Sequence, residues 1–268
     1  MPSSLALLLA PFGVDFFCLG KKYLVFNMVS RNLKSKYHRS VLGVFWTLVN
    51  PLAMALVYYF VFKGILRVKQ DHYLVFILCG QFPWNFFVQS LMEGLESLVG
   101  NLGLISKVPV PIQIFPFVGA VTNLVTLFLS LPILLGVALI SHLSIGIALV
   151  CLPYYLVLLF LMCYSISLVL SIAFVFFRDL RHLMSIVMQV WFFATPVIYA
   201  DTMIPERYHW IIYANPVGTI FVGLHRAFVD QAWPSQAMTL VPLAWVAVFV
   251  SISIVAYKGW ARGIVEQI

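Results

Sequence analysis

Charge is scarce in this chain. Only 9% of its 268 residues are Asp, Glu, Lys or Arg, while 63% are hydrophobic. A soluble domain carries about a quarter charged residues, so this shortage excludes one and leaves a membrane protein. Acidic side chains are the rarest, nine against sixteen Lys and Arg, for a net charge of +7. On a soluble chain such a balance would raise nucleic acid as a partner. Here no nucleic acid is expected, and the placement of the cations matters more than their sum.

Catalytic signatures are missing as well. There is no G-x-x-x-x-G-K-[ST] phosphate loop, because the Gly20-Lys21 pair lacks the first glycine, and there is no H-E-x-x-H or G-x-S-x-G. The six histidines are scattered. The four cysteines (Cys18, Cys79, Cys151 and Cys163) sit in apolar surroundings without metal-ligand spacing, so they read as buried thiols and no metal site is expected. The apolar run Leu5 to Leu9 precedes Lys21 and Lys22. A secretory signal needs the reverse order, and the first 20 residues are expected to lie along the bilayer surface. The centres of the apolar stretches hold no ionisable residue of the kind that ion-coupled carriers use as a relay. The energy source is therefore expected outside this chain.

What the sequence does have is long uncharged runs. A helix needs about 20 apolar residues to cross ~30 Å of hydrocarbon. The runs give six expected spans, at about 41–62, 72–92, 111–140, 146–176, 183–200 and 238–257, and an all-α polytopic protein of one domain. With both termini cytoplasmic, the inner segments hold Lys21, Lys22, Arg31, Lys34, Lys36, Arg39, Lys107, Arg178, Arg181, Lys258 and Arg262. The outer loops hold Lys63, Arg67, Lys69, Arg207 and Arg226. That bias follows the positive-inside rule, although "KGILRVK" after the first span runs against it.

Before the first span, residues of about 21–40 are expected to form an amphipathic helix in the headgroup layer. Phe26, Val29, Leu33 and Tyr37 share one stripe, and Asn27, Arg31, Lys34 and His38 lie opposite. A plain positive-inside anchor remains the alternative reading of that pattern.

Several segments then resemble, in chain order, the ABC-2 type permeases, the membrane subunits of ATP-driven exporters of O-antigen, teichoic acid and other lipid-linked polysaccharides. "KSKYHRSVLGVFWTLVNPL" (34–52) is similar to their opening signature, and "NLGLISKVPVP" (101–111) to their loop between spans two and three. "FFRDL" (176–180), "TPVIY" (195–199) and "IPERYHWIIYANPVGTI" (204–220) match later landmarks. The resemblance covers about residues 20–260. It implies a homodimer in the bacterial cytoplasmic (inner) membrane, with short re-entrant outer helices between spans five and six. It also implies two copies of a separate nucleotide-binding subunit, which would hold ATP and Mg, so that this chain binds no cofactor and is not itself an enzyme. Within the loop, Asn101, Leu104, Ile105, Lys107 and Pro109 are the expected ATPase-coupling positions. Pro111-Ile112-Gln113 departs from the Pro-Arg-Glu that members often carry there.

A glycan on a lipid must leave the bilayer sideways and slide without sticking, and aromatic rings offer weak, repeated contacts for sugar rings. Trp46, Asn50, Tyr58 and Tyr59 on span one, with Gln189, Phe192 and Tyr199 on span five, are the expected path residues. Trp84 and Trp191 are read as interface-belt candidates. Arg31, Lys34 and Arg39 are expected to recruit a pyrophosphate headgroup at the inner surface. Pro51 and Pro196 permit bends. The alternatives are an ABC-2 exporter of drugs or small lipids and, more remotely, an integral-membrane glycosyl- or acyltransferase. For the last, only Arg178-Asp179 beside Arg181 and His182 offers paired polar groups.

Overall fold

The computed structural model describes residues 18–37, 46–107, 110–144 and 146–267. His38 and Arg39 of the basic segment, the start of the first expected span and Pro109 of the loop lie outside those residues. The described chain is helical, with no strand among the described residues: α1 (Lys22–Tyr37), α2 (Trp46–Tyr59), α3 (Tyr73–Glu96), α4 (Leu102–Ile105), α5 (Ile114–Ile140), α6 (Leu152–Phe176), α7 (Leu180–Ala194), α8 (Trp210–Ala214), α9 (Gly218–Phe228) and α10 (Gln236–Gln267).

Among the described residues five helical stretches are long and apolar enough to cross a membrane: Trp46–Ile65, Tyr73–Glu96, Ile114–Ile140, Ile147–Phe176 and Gln236–Trp260. The first includes a π-helical turn, Phe60–Ile65, that extends α2. The fourth begins with a 3₁₀ turn, Ile147–Cys151. α3 is the hub. Its spanning window is 78% buried against 17% for α2, and it packs on α5, α6 and α2, while α10 closes on α6.

The expected fifth span, 183–200, differs. α7 starts at Leu180 and stops at Ala194, and fifteen residues rise about 22 Å, short of the ~30 Å hydrocarbon thickness. Pro196 disfavours a helical conformation at the residue before it, and Thr195 is extended there (φ −109°, ψ 135°). The orphan carbonyl of Ala194 is then satisfied by the Asn215 amide (3.1 Å), which also donates to the Thr195 hydroxyl (2.9 Å) and accepts from Trp191 Nε1 (2.8 Å). Asn215 therefore caps the broken end.

Beyond it the chain turns back inward as α9. Phe221 lies edge-on to Trp84, with ring centroids 5.9 Å apart, and His225 stacks on Phe76 at 3.8 Å. Trp84 is eleven residues along α3 from Tyr73, so α9 reaches about 17 Å below that end of the bundle. This is the expected re-entrant helix. Glycines permit the approach: a Cβ on Gly80 would strike the Val197 carbonyl, and one on Gly223 would strike the Tyr155 ring.

α1 lies at the other end of the bundle, beside α5. Its buried side is Met28 and Val29, with Leu24, Val25 and Leu33 partly buried against the same cluster. Phe26 of the expected stripe is 71% exposed on the protein surface, where lipid rather than protein would cover it. Val25, Met28 and Val29 pack into that cluster, and Phe26, about 100° round the helix from Val25, lies beside it. The Tyr37 side chain lies outside the described residues.

Candidate functional site

Three helices place single polar residues on facing stripes. On α3, Asn85, Gln89 and Glu93 recur every four residues. On α5, Asn123, Thr126 and Ser130 recur at three and four. α2 contributes Trp46, Thr47 and Asn50 from its first turns. Helical residues three and four apart share a face, so packing α3 between α2 and α5 brings these groups together. All of them except Glu93 line a cavity of about 320 Å³ at the α1 end, with Phe82 and Phe86 as its aromatic walls and Lys36 of α1 at its rim. Pro51 also lines it and removes one rung of the helical hydrogen-bond ladder on that side.

Its charged rim is held by a closed network. Lys36 Nζ donates to Glu93 Oε1 (2.9 Å) and to Asn123 Oδ1 (3.0 Å), and Asn123 Nδ2 donates to Glu93 Oε2 (2.8 Å). An ammonium has three N–H groups, so one remains for the cavity. The Asn85 amide nitrogen is buried and has no hydrogen-bond partner among the described residues, although it lines the cavity. A buried donor left unmatched costs about 1–3 kcal/mol.

The expected path residues divide among three levels. Trp46 and Asn50 lie in this polar cavity. Tyr58 and Phe192 stack at 5.8 Å, joining α2 to α7, and Trp84 meets Phe192 edge-on at 5.5 Å. Tyr59 is beside Tyr73 (6.4 Å) and Tyr199 donates to the Phe193 carbonyl (2.9 Å), both further from α1. Gln189 is exposed on α7. Trp84 is buried in the core, which removes it as a belt residue, while Trp191 is partly exposed and bonded to Asn215.

The expected coupling segment also has a definite place. Asn101 ends a 3₁₀ turn that leads into α4. It accepts from Arg31 Nη2 (3.2 Å) and donates to the Ser97 carbonyl (2.8 Å). Leu104 and Ile105 are partly buried on the cluster under α1, and Lys107 is exposed, as is Lys34 on α1. Arg181, in the first turn of α7, pairs with Glu96 (2.8 Å). Arg31 thus ties the basic helix directly to this loop, and Lys36, five residues on, ties it to the cavity.

At the opposite end a second polar cavity, about 240 Å³, is bordered by Asp201, His225, Arg226 and Asp230. Arg226 pairs with Asp201 at 2.9 Å. Burial, and then the neighbouring Asp201, raise the Asp230 carboxyl above its ordinary range, while Arg226 works against them. Among the described residues no three His, Cys, Asp or Glu side chains gather in a metal-ligand group.

Long apolar helices, a half-depth return helix and a polar cavity walled by aromatics together define a polytopic all-α membrane protein. The chain belongs to the ABC-2 type transporter family, whose description fits residues 23–229. It is similar to the O-antigen export system permease protein RfbA of Myxococcus xanthus, 32% identical over 235 residues, 84% of this chain and 87% of the relative. It is also similar to the protein of the same name from Klebsiella pneumoniae, 29% identical over 204 residues, 76% of this chain and 79% of the relative.

Proposed function

We propose that this chain is the membrane-spanning permease subunit of an ABC exporter that carries a lipid-linked polysaccharide of O-antigen type out across the bacterial cytoplasmic membrane. The observation that carries the reading is the family match together with relatives named for O-antigen export over most of their length. The cavity at the α1 end adds a chemical reason. Amide groups suit sugar hydroxyls, and the rings of Trp46, Phe82 and Phe86 suit the C–H faces of sugars.

In this reading the α1 end faces the cytoplasm. Two copies sit on two copies of a separate nucleotide-binding subunit, which holds ATP and Mg. α4 and its flanks, from Asn101 to Pro109, dock on that subunit. Arg31, Lys34 and Arg39 attract the anionic headgroup, and the substrate passes the aromatics of α2 and α7. Arg31 is shared between headgroup and loop, since its guanidinium bonds Asn101.

The test is transport in sealed vesicles containing the purified complex. Export of a lipid-linked glycan should require ATP hydrolysis and should stop with an ATPase partner that binds but cannot cleave ATP. Uphill movement of cargo by this chain alone, driven by an ion gradient, would overturn the reading. Export of small lipids or drugs with no turnover of glycan would replace it by the alternative transporter class.

A further inference from the structure

A second cavity, apolar and about 550 Å³, opens on the far side of Phe82. Phe82 lines both this groove and the polar cavity, and both volumes fall within the ~300–1,000 Å³ usual for ligand pockets. The two follow each other along the same helices. On α3 the polar wall is Asn85 and Gln89 and the apolar wall is Cys79 and Pro83. On α5 the two overlap in height, Leu124 and Phe128 lining the groove beside Asn123, Thr126 and Ser130 of the polar cavity, and past Ser130 only the groove continues, with Leu131, Leu134 and Leu135. Polar groups thus lie toward α1, and hydrocarbon surface lies toward the return helix, where Leu224 and Phe228 of α9 close the groove.

We propose that these two cavities are one site, within a single copy of the chain, for an amphiphile standing head toward α1. Resting on the function proposed above, the occupant is the lipid-linked saccharide itself. Its phosphoryl group and first sugar sit in the polar cavity, and its hydrocarbon chain passes Phe82 into the groove. The zoning matches a lipid of the leaflet on the α1 side, whose head lies at that surface and whose tail points to the midplane. The remaining N–H of Lys36 and the unmatched amide of Asn85 are donors for an anionic, oxygen-rich head. A neutral hydrocarbon would leave both unused. Phe82 is the positioning residue that separates head from tail. This site lies among α2, α3, α5, α6 and α9 and is distinct from the aromatic contact between α2 and α7.

The full chain, purified with its ATPase in lipid nanodiscs, is probed with a polyprenyl diphosphate bearing one N-acetylhexosamine and a diazirine in its hydrocarbon chain. Photolabelling should fall on α5 and α6 near Leu135 and Val157. Both residues line the groove on its open side and are 37% and 56% exposed, so bulk there is compatible with folding. Leu135→Trp and Val157→Trp should each weaken probe binding roughly tenfold, the effect of about two methylenes left unburied, with the thermal midpoint unchanged. Gln89→Ala should weaken binding of the sugar-bearing probe while leaving polyprenyl phosphate without sugar unaffected. Labels confined to α2 and α7 would overturn the site. So would equal displacement by an ordinary two-chain phospholipid, or normal binding by both tryptophan variants. Glycan export by the wild-type complex in the same membranes separates the two readings: export with an unlabelled groove removes only this site, whereas absence of both binding and export counts against the exporter as well.

Discussion

Gly223 and Gly103 show what one hydrogen in place of a methyl does in two settings. A methyl on Gly223 would run into the ring of Tyr155, which is fully buried, whereas one on Gly103 would meet nothing within 4 Å. Gly223→Ala should therefore destabilise by about 1–3 kcal/mol, the usual cost of overpacking, and lower the thermal midpoint measured in detergent. Gly103→Ala should be neutral or slightly stabilising, because alanine restricts the unfolded chain more. At Lys36 the effect is electrostatic. The pair with Glu93 is partly open to solvent, with side chains 26% and 38% exposed, so screening keeps its coupling to about 1 kcal/mol or less. Lys36→Met alone should reduce export more than the Lys36→Met/Glu93→Gln double variant does, because the single change leaves a carboxylate at the cavity without its cation. A double-mutant cycle on initial export rates measures this, and equal losses would show that the charge balance is irrelevant to cargo.

Among the elements, α1 is held at two points, Arg31 to Asn101 of the loop and Lys36 to Glu93 and Asn123 of the cavity. Such a strut would carry motion of α4 to the mouth of the polar cavity. Arg31→Ala should leave ATP hydrolysis by the partner largely intact while export falls several-fold, a split read by measuring both rates on one preparation; a parallel fall in both would place Arg31 in assembly instead. Much of this level was legible in the sequence. The uncharged runs located the long helices to within a few residues, because twenty apolar residues have few other fates. The return helix was expected from the family resemblance, with Pro196 marking the bend before it, and it forms further on, at Gly218–Phe228. The length of α7 was not legible, since an apolar run such as 195–200 does not reveal that it has left the helix. Phe26 and Val29 share an apolar stripe, and periodicity alone does not say that protein covers only Val29. The polar cavity was missed although its signal was present. Asn85, Gln89 and Glu93, or Asn123, Thr126 and Ser130, stand at helical spacing inside otherwise apolar helices, and only the packing of α3 on α5 makes them one surface. The pairing of Asn215 with the end of α7 had no sequence signal at all.

At the scale of the molecule, α2 and α7 leave apolar side chains uncovered. Val57 and Val190 are exposed, along with Leu56, Phe60, Ile186 and Phe193, and the two helices meet through Tyr58 and Phe192. This is the face on which the second copy of the proposed homodimer would pack. Val57→Cys or Val190→Cys should give disulfide-linked dimers in membranes. The native thiols Cys18, Cys79 and Cys163 are buried and Cys151 is partly so, so Cys151→Ser in the same background removes the one native thiol open to cross-linking. Monomers alone under oxidation would argue for another interface.

The shortness of α7 has a consequence for such a pair. Two fifteen-residue helices opposed across a shared axis can hold a tight constriction for only about 22 Å. The remaining part, beside Thr195 and the Asn215 cap, would be a hydrated vestibule. A hydrophilic polymer crossing there sheds its water over a distance shorter than the oily slab around it, and regains it before reaching the far surface.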